Sequence, residues 1–148
     1  MVSRATAVAD IFSEFYDLID GNVPTQHGGS KWIYSSFPDE QLTQKSDYPI
    51  LVVGSPDITE EKLTLKRGAY NFTIDIELYH NSAQTADTLG DTIREAVMLG
   101  KMSLSDTGIQ RVKLDKKDKD MFLRGAIKVH VTTMTFSGFF YFDKVTGY

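Results

Sequence analysis

Alternating apolar and polar side chains predict a half-buried strand in the middle of this chain. From Tyr70 to Leu78 every second residue is apolar, and polar residues such as Asn71 and Glu77 occupy the positions between them. Successive side chains of a strand point to opposite faces of a sheet, so one face is predicted to meet a core and the other water. A shorter alternation through Leu63 and Leu65 predicts another strand before it, with Gly68 as a turn or bulge between the two.

Two segments carry apolar residues at the three- and four-residue spacing of amphipathic helices. The first helix is predicted over about residues 4 to 20, capped by Ser3 and ended by Gly21. The second is predicted over about residues 84 to 99, with Gly100 at its C-terminal cap. Gly90 lies inside the second helix and predicts a close approach of a neighbouring backbone. The two predicted buried stripes are Ala5, Val8, Phe12, Phe15 and Ile19, and Ala86, Leu89, Ile93, Ala96 and Val97.

The remaining patterns complete an α+β prediction. Residues 48 to 54, YPILVVG, are continuously apolar and predict a buried central strand. Residues 108 to 138 predict two strands joined by a charged tip, Asp115 to Asp120, that projects into water and serves as an assembly contact. We therefore expect a single domain over residues 1–148, with a mainly antiparallel sheet of four or five strands and two principal helices packed on it.

The tripeptide Arg-Gly-Ala occurs twice, at residues 67–69 and 124–126, and each copy precedes a strand-like run. The two runs have the same apolar face only in their first residues. In the second copy, the large apolar side chains Met134 and Phe136 lie on the opposite face of the strand. We interpret the two copies as one device, a glycine that lets a strand bend or turn, and not as a structural repeat. The change of face also predicts a spare apolar surface at Met134 and Phe136.

A long connection spans about residues 22 to 47 and is rich in Gly, Ser, Asp and Gln. Such connections are uncommon inside compact domains and often carry interactions. Trp32, Tyr34 and Phe37 are of the residue types enriched at interfaces. Two interpretations of Trp32 stay open: it contacts a partner, or it lies over the core of its own domain and holds the connection in place.

Composition excludes several classes of function. The 148 residues include no cysteine, which excludes disulfides, zinc-thiolate sites and thiol nucleophiles, and agrees with synthesis in a reducing cytoplasm. The net charge of −4 gives no basic footprint for specific binding of nucleic acid. No apolar run approaches the ~20 residues of a membrane span, and Asp10 and Glu14 interrupt the first apolar stretch too early for a signal peptide. We expect no membrane association.

Motifs for catalysis or metal binding are not evident. The three histidines, His27, His80 and His130, lie in a glycine-rich loop or on strands, and neither strand histidine is expected to be buried. Asp75 and Glu77 share a strand face, but no further oxygen ligand is spaced to complete a metal site. We therefore predict no catalytic residue, no metal and no cofactor.

The order of the predicted elements resembles that of the tail terminator, or tail completion, proteins of long-tailed bacterial and archaeal viruses. The features that carry this resemblance are Trp32-Ile33-Tyr34 followed by Tyr48-Pro49-Ile50, the strand Phe72 to Tyr79 leading straight into the second helix, and the closing strand through Val129 and Val131. The resemblance spans most of the chain.

The resemblance implies a structural protein of the virion tail that forms a hexameric ring. Such a ring caps the tail tube at its final length, contacts the tube protein and the head-side connector, and lets DNA pass without binding it. Alternatives are a head-completion or connector protein of the same assembly, and a small-ligand or peptide-binding module. The residues predicted to contact other subunits or partners are Trp32, Tyr34, Phe37, Lys116, Lys117, Lys119, Met134, Phe136, Phe139, Phe140 and Phe142.

Overall fold

The computed structural model describes residues 2–27, 31–38, 44–63 and 65–143. As predicted, the fold is α+β, with helices packed on a mainly antiparallel sheet. The helices are α1 (Ala7–Asn22), α2 (Ala83–Leu99) and α3 (Lys101–Asp106), with 3-10 turns at Arg4–Thr6 and Lys45–Asp47. The strands are β1 (Ile33–Tyr34), β2 (Ile50–Val53), β3 (Asp57–Lys62), β4 (Arg67–His80), β5 (Ile109–Arg124) and β6 (Ile127–Asp143).

The six strands form one sheet in the order β1-β2-β4-β6-β5, and β3 also pairs with β4. At 14 residues, β4 is long enough to pair with β3 along its first half and with β2 along its second half. The pairing of β1 with β2 is parallel, and every other described pairing is antiparallel. The sheet thus has one strand more than the upper predicted number, because the connection after α1 contributes the two-residue β1.

The main core lies between the helices and one face of the sheet. The predicted alternation of β4 is confirmed, because Phe72, Ile74, Ile76 and Leu78 are all buried on this face. The predicted strand in YPILVVG is also confirmed, since all four residues of β2 are buried. Burial of large apolar side chains contributes roughly 1.5 to 3 kcal/mol each, which makes this layer the main source of stability.

Helix α1 buries a different stripe from the predicted one. Its buried residues are Ala7, Ile11, Phe15 and Ile19, whereas the predicted Val8 is 46% exposed. The sequence carries two overlapping stripes that share Phe15 and Ile19, and the rotation of the helix on the sheet selects the one with Ile11. The helix also continues through Gly21 to Asn22, beyond its predicted end.

Helix α2 follows its predicted stripe, with Ala86, Leu89, Ile93 and Val97 buried. Ser82 caps its start, and Gly100 caps its end. The predicted close approach at Gly90 is wrong, because a Cβ added there would meet no heavy atom within 4 Å. The short helix α3, which the pattern did not predict, follows at once and buries Leu104.

The predicted charged tip is wrong, because Asp115 to Asp120 lie inside β5. Lys116 pairs with Thr135 of β6, and Asp120 pairs with Val131. The β5–β6 turn comes later, at residues 125 and 126, where Gly125 has a φ of 64°. Strand β5 lies at the edge of the sheet, where charged side chains hinder unwanted pairing with other sheets. This explains why a strand here has a charged composition that is more usual for a loop.

The two Arg-Gly-Ala copies play different roles. Gly125 forms the β5–β6 turn, but Gly68 lies within β4, where a Cβ would come within 2.7 Å of the Phe142 ring. The predicted strand through Leu63 and Leu65 is also wrong, because β3 ends at Lys62 and both leucines are exposed in the β3–β4 connection.

Candidate assembly surfaces

One face of the sheet, here called the open face, lies away from α1, α2 and α3. Cross-strand register places Ile50, Tyr79, Val131 and Asp120 in one row on this face, and Asp75, Thr135 and Lys116 in another. Its buried apolar cluster is separate from the main core and takes no residue from the described helices. None of the described helices covers this face, and apolar groups at the ends of such a face are a feature of surfaces that other chains contact.

The first end of the open face carries partly buried aromatic residues, Tyr34, Phe37, Tyr79 and Phe122. They pack on a small buried cluster formed by Tyr48, Ile50, Val52, Ile127 and Val129. The ring centroids of Phe37 and Tyr79 are 4.7 Å apart, and those of Tyr79 and Phe122 are 6.2 Å apart. The predicted contact residues Tyr34 and Phe37 therefore have part of their surface available to a partner.

Tyr79 fixes the geometry of this aromatic end. Its hydroxyl donates a hydrogen bond to Oε2 of Glu77, two positions earlier on the same face of β4. Burial raises the pKa of Tyr79, and the hydrogen bond to Glu77 raises it further. The tyrosine therefore stays protonated at neutral pH and holds the Glu77 carboxylate against the sheet.

The second end carries Phe139 and Tyr141, neighbours on one face of β6. Their rings stack with centroids 6.0 Å apart at 17°, and Tyr141 is 39% exposed. The Arg111 guanidinium lies 5.6 Å from the centroid of Phe139. This arrangement of exposed aromatic rings and a cation is typical of contact surfaces, so Phe139 remains a proposed contact residue.

Polar side chains occupy the centre of the open face. Thr135 donates to Asp75 at 2.6 Å, and Ser137 donates to Asp115 at 3.0 Å. Toward the second end, opposite Phe139, the amide nitrogen of Asn71 donates to Glu61, but its buried Oδ1 accepts no hydrogen bond from any part of the chain that the structure describes. Buried acceptors are usually satisfied, so this oxygen marks a place where a donor from another molecule would be favourable.

Several predicted contact residues belong to the main core instead. Met134 and Phe136 face the helices, and the Phe136 ring centroid lies 6.3 Å from that of Phe15. The predicted spare apolar surface is therefore wrong at these positions, because the helices already cover that face. Residues in this group are at most 3% exposed: Trp32, Met134, Phe136, Phe140 and Phe142. For Trp32, the second of the two open interpretations is correct.

The three predicted contact lysines divide between the two faces of β5. Lys117 and Lys119 lie on the helix side, where their ammonium groups are 3.8 Å from Asp91 and 2.7 Å from Asp87 of α2. Lys116 lies on the open face and pairs with Asp118 at 3.4 Å. Only Lys116 of the three therefore points toward the proposed contact face.

His80 is buried, contrary to the sequence prediction. It lies opposite His130 in the β4–β6 ladder, and its Nδ1 accepts a hydrogen bond from the Ser82 backbone. Burial lowers the pKa of His80, a hydrogen bond to Asn81 opposes this shift, and His130 and His27 lower the pKa further. Within residues 2–27, 31–38, 44–63 and 65–143, no group of three or more His, Asp or Glu side chains could hold a metal ion.

An apolar groove of about 680 Å³, here called the α1 groove, runs beside the start of α1. Its walls include Val8 and Phe12 of α1, Ile58 of β3 and Tyr70 of β4. The hydrophobic pattern did not predict this groove, because it placed Val8 in the buried stripe of α1. The available signal was the second stripe through Ile11, which leaves Val8 on the outside.

Comparison with known proteins identifies structural neighbours and no family. No protein-family model matches the chain, and no curated protein matches it. Among solved structures, it is similar to a chain from the virion of a native gene transfer agent particle, with a TM-score of 0.46 and 13% identity over 90% of this chain and 98% of that chain. None of the described helices is long and apolar enough to cross a membrane.

Proposed function

We propose that this chain is a non-catalytic structural subunit of a virus tail. It forms a ring at the head-proximal end of the tail tube, ends polymerisation of the tube and joins the tail to the head. The subunit works by covering the growing surface of the tube and by presenting a different surface to the head. No chemical step is required of any side chain.

The open face is the observation that carries an assembly role. It combines aromatic residues at both ends with a polar centre, and the tail tube or the head would cover it. A donor from a partner near Asn71 Oδ1 would also remove the cost of a buried unsatisfied acceptor, about 1 to 3 kcal/mol. Tyr34, Phe37, Lys116 and Phe139 are the predicted contact residues that remain candidates on this face.

The order of elements supports a place at the end of the tail. The resemblance to tail terminators rests on Trp32-Ile33-Tyr34 followed by Tyr48-Pro49-Ile50, on the strand Phe72 to Tyr79 that leads into a helix, and on the strand through Val129 and Val131. These elements are present, and only two residues separate the end of β4 at His80 from the start of α2 at Ala83. The long β5–β6 hairpin, which contains Val129 and Val131, follows α3.

A ring also explains how modest surfaces would give firm attachment. Each subunit contributes one contact to the tube, and linking contacts raises the overall affinity by roughly 10² or more over a single one. The small aromatic ends of the open face therefore suffice without a large apolar patch. The net charge of −4 suits a ring through which DNA passes without adhering.

The test is removal of the gene from the virus that encodes the chain, followed by electron microscopy of the particles. We expect heads without tails and free tubes of uncontrolled length, and restoration of normal particles by the wild-type gene supplied in trans. Tails of normal length joined to heads would refute the proposal. Tails of normal length left unattached would assign the chain to head completion instead.

A further inference from the structure

A buried histidine joins the end of β4 to the start of α2. His80 is the last residue of β4 and is 8% exposed, and Ser82 is the N-cap residue of α2. The backbone N–H of Ser82 donates a hydrogen bond to Nδ1 of His80 at 3.2 Å. Because a nitrogen that accepts a hydrogen bond carries no proton, the ring is neutral and its one proton lies on Nε2. The bond therefore exists in only one protonation state of the ring.

A proton on Nδ1 would break this contact. The charged ring has an N–H group at both nitrogens, so Nδ1 and the Ser82 backbone would present two donors to each other. Burial also disfavours the charged ring, because water cannot solvate it there. Protonation of His80 therefore requires the ring and the Ser82 backbone to separate. Their separation opens the first turn of α2.

The groups around His80 add to this opposition. His130 faces it across the β4–β6 ladder, and His27 approaches from the segment that follows α1. Burial lowers the pKa of His80 most, a hydrogen bond to Asn81 raises it in part, and His130 and His27 lower it further. In the parts of the chain that the structure describes, no carboxylate is among these causes. The site therefore holds the neutral ring and provides no counter-charge for the protonated one.

Ion pairs further along α2 confine the opening to the first turn. Lys119 lowers the pKa of Asp87 most, through a hydrogen bond of 2.7 Å, and His130 contributes a smaller lowering. The Asp87 carboxylate is thus already engaged by β5. One turn later, Asp91 lies 3.8 Å from Lys117 of the same strand. The two pairs tie the rest of α2 to β5, so loss of the contact at the N-cap does not free the whole helix.

We propose that His80 is a pH-sensitive latch on the start of α2. At neutral pH its ring holds the Ser82 backbone N–H and closes the first turn of the helix, and in mild acid a proton on Nδ1 releases that turn while the rest of the chain stays folded. The latch belongs to the fold of the single subunit, so its test is independent of the proposed tail role.

Hydrogen exchange followed by NMR at pH 7.5 and pH 5 measures this opening. The reporters are the Ser82 amide, which is bonded to His80, and the Ala86 amide, which donates to the Ser82 carbonyl oxygen at 2.9 Å. Each rate is divided by the rate of an unstructured peptide at the same pH, which gives the protection of each amide. The internal reference is the Gly100 amide, which donates to the Ala96 carbonyl oxygen at 3.0 Å at the other end of the same helix.

Protection at Ser82 and Ala86 should fall between pH 7.5 and pH 5 by up to about 30-fold, the limit reached when only the open form binds a proton with the ordinary histidine pKa of 6.5. The sign follows because the closed form holds a neutral ring, so protons stabilise the open form below this pKa. Protection at Gly100 should change by less than about threefold, because its bond is made away from the histidines. A fall of the same size at all three amides would mean general unfolding and would overturn the latch.

The variant His80→Asn separates titration from hydrogen bonding. The asparagine side-chain oxygen can take the place of Nδ1 and accept from Ser82, but it does not titrate. Protection at Ser82 and Ala86 should then change by less than about twofold between the two pH values. A fall as large as that of the wild type would overturn the role of His80.

Nitrogen-15 NMR of the wild-type imidazole tests the latch without any substitution, so the proposal is also testable if the variant does not fold. At pH 7.5 the His80 ring should be neutral with its proton on Nε2, as the bond from Ser82 requires. A ring that carries a proton on Nδ1 at this pH would overturn the latch, because it could not accept that bond.

Discussion

The Nζ atom of Lys119 lies 2.7 Å from Oδ1 of Asp87, which ties the middle of β5 to the first half of α2. The hydrogen bond from Lys119 lowers the pKa of the Asp87 carboxyl more than any other interaction does. We predict that Lys119→Ser raises the pKa of Asp87 toward its ordinary value, as measured by NMR titration of the side-chain carboxyl carbon. Lys116→Ser is the control, because Lys116 lies on the open face and should leave Asp87 unchanged. An unaltered Asp87 titration in the Lys119 variant would show that the ion pair does not persist in solution.

Burial of His80 predicts that stability falls in mild acid. Its pKa is lowered in the folded chain, so the unfolded chain takes up a proton first as the pH falls through about 6.5. Folding is therefore favoured fully above this pH, and the contribution is lost as the pH drops toward the lowered pKa. The neighbouring His130 and His27 lower the pKa of His80 further, in the same direction as burial.

The measurement for His80 is the urea midpoint at pH 7.5 and pH 5 for the wild type and for His80→Gln. The wild type should lose more stability than the variant between the two pH values, because only the wild type carries the buried titrating ring. The difference between the two proteins removes the contribution of carboxylates, which both contain. Equal losses would mean that His80 is accessible to protons in the folded chain.

Gly90 and Gly138 should respond in opposite ways to replacement by alanine. A Cβ at Gly90 meets nothing within 4 Å, so Gly90→Ala should stabilise the chain by about 0.5 to 1 kcal/mol through helix propensity. A Cβ at Gly138 would lie 2.8 Å from the Phe72 ring and 3.0 Å from the Gln110 carbonyl oxygen, so Gly138→Ala should destabilise it by about 1 to 3 kcal/mol. Thermal or urea unfolding checks both, and a change of the same sign in both variants would contradict the packing described here.

Periodicity predicted the faces of the long elements well. The alternation of β4 and the stripe of α2 are long and have a single phase, so the buried face follows from the sequence. For α1, two stripes overlap, and only docking on the sheet decides between Val8 and Ile11. The choice cannot be made from one helix, because it depends on the surface that the helix meets.

The candidate surfaces were predicted less well, because burial by other elements is not visible in a local pattern. Met134 and Phe136 form an apolar run that suits a contact surface, but α1 and α2 already cover it. The six charged residues from Asp115 to Asp120 have the composition of a loop. They nevertheless lie within a strand, where Lys117 and Lys119 form ion pairs with Asp91 and Asp87 of α2. Both predictions were wrong because the residues that cover Met134 and Phe136, or pair with the lysines of β5, lie more than 20 residues away in the chain.

The distal aromatic pair of the open face should be required for assembly and dispensable for folding. Replacing Phe139 and Tyr141 together with serine removes the stacked rings and the contact of Arg111 with Phe139. Because Tyr141 is 39% exposed and a stacked pair contributes about 0.5 to 1.5 kcal/mol, we expect only a modest loss of stability in urea unfolding. The number of tailed particles restored in trans to a virus that lacks the gene should fall by at least about tenfold, which corresponds to the loss of about 1.4 kcal/mol of contact energy.

The control for this pair is the double replacement of Leu99 and Met102 by serine. These residues are 79% and 78% exposed and lie on α2 and α3, away from the open face. The control should restore tailed particles as well as the wild type does. Equal restoration by both double variants would exclude the second end of the open face from assembly. A severe loss of stability in the Phe139 and Tyr141 variant would instead show that the pair stabilises the fold, since a surface reserved for partners contributes little to the isolated subunit.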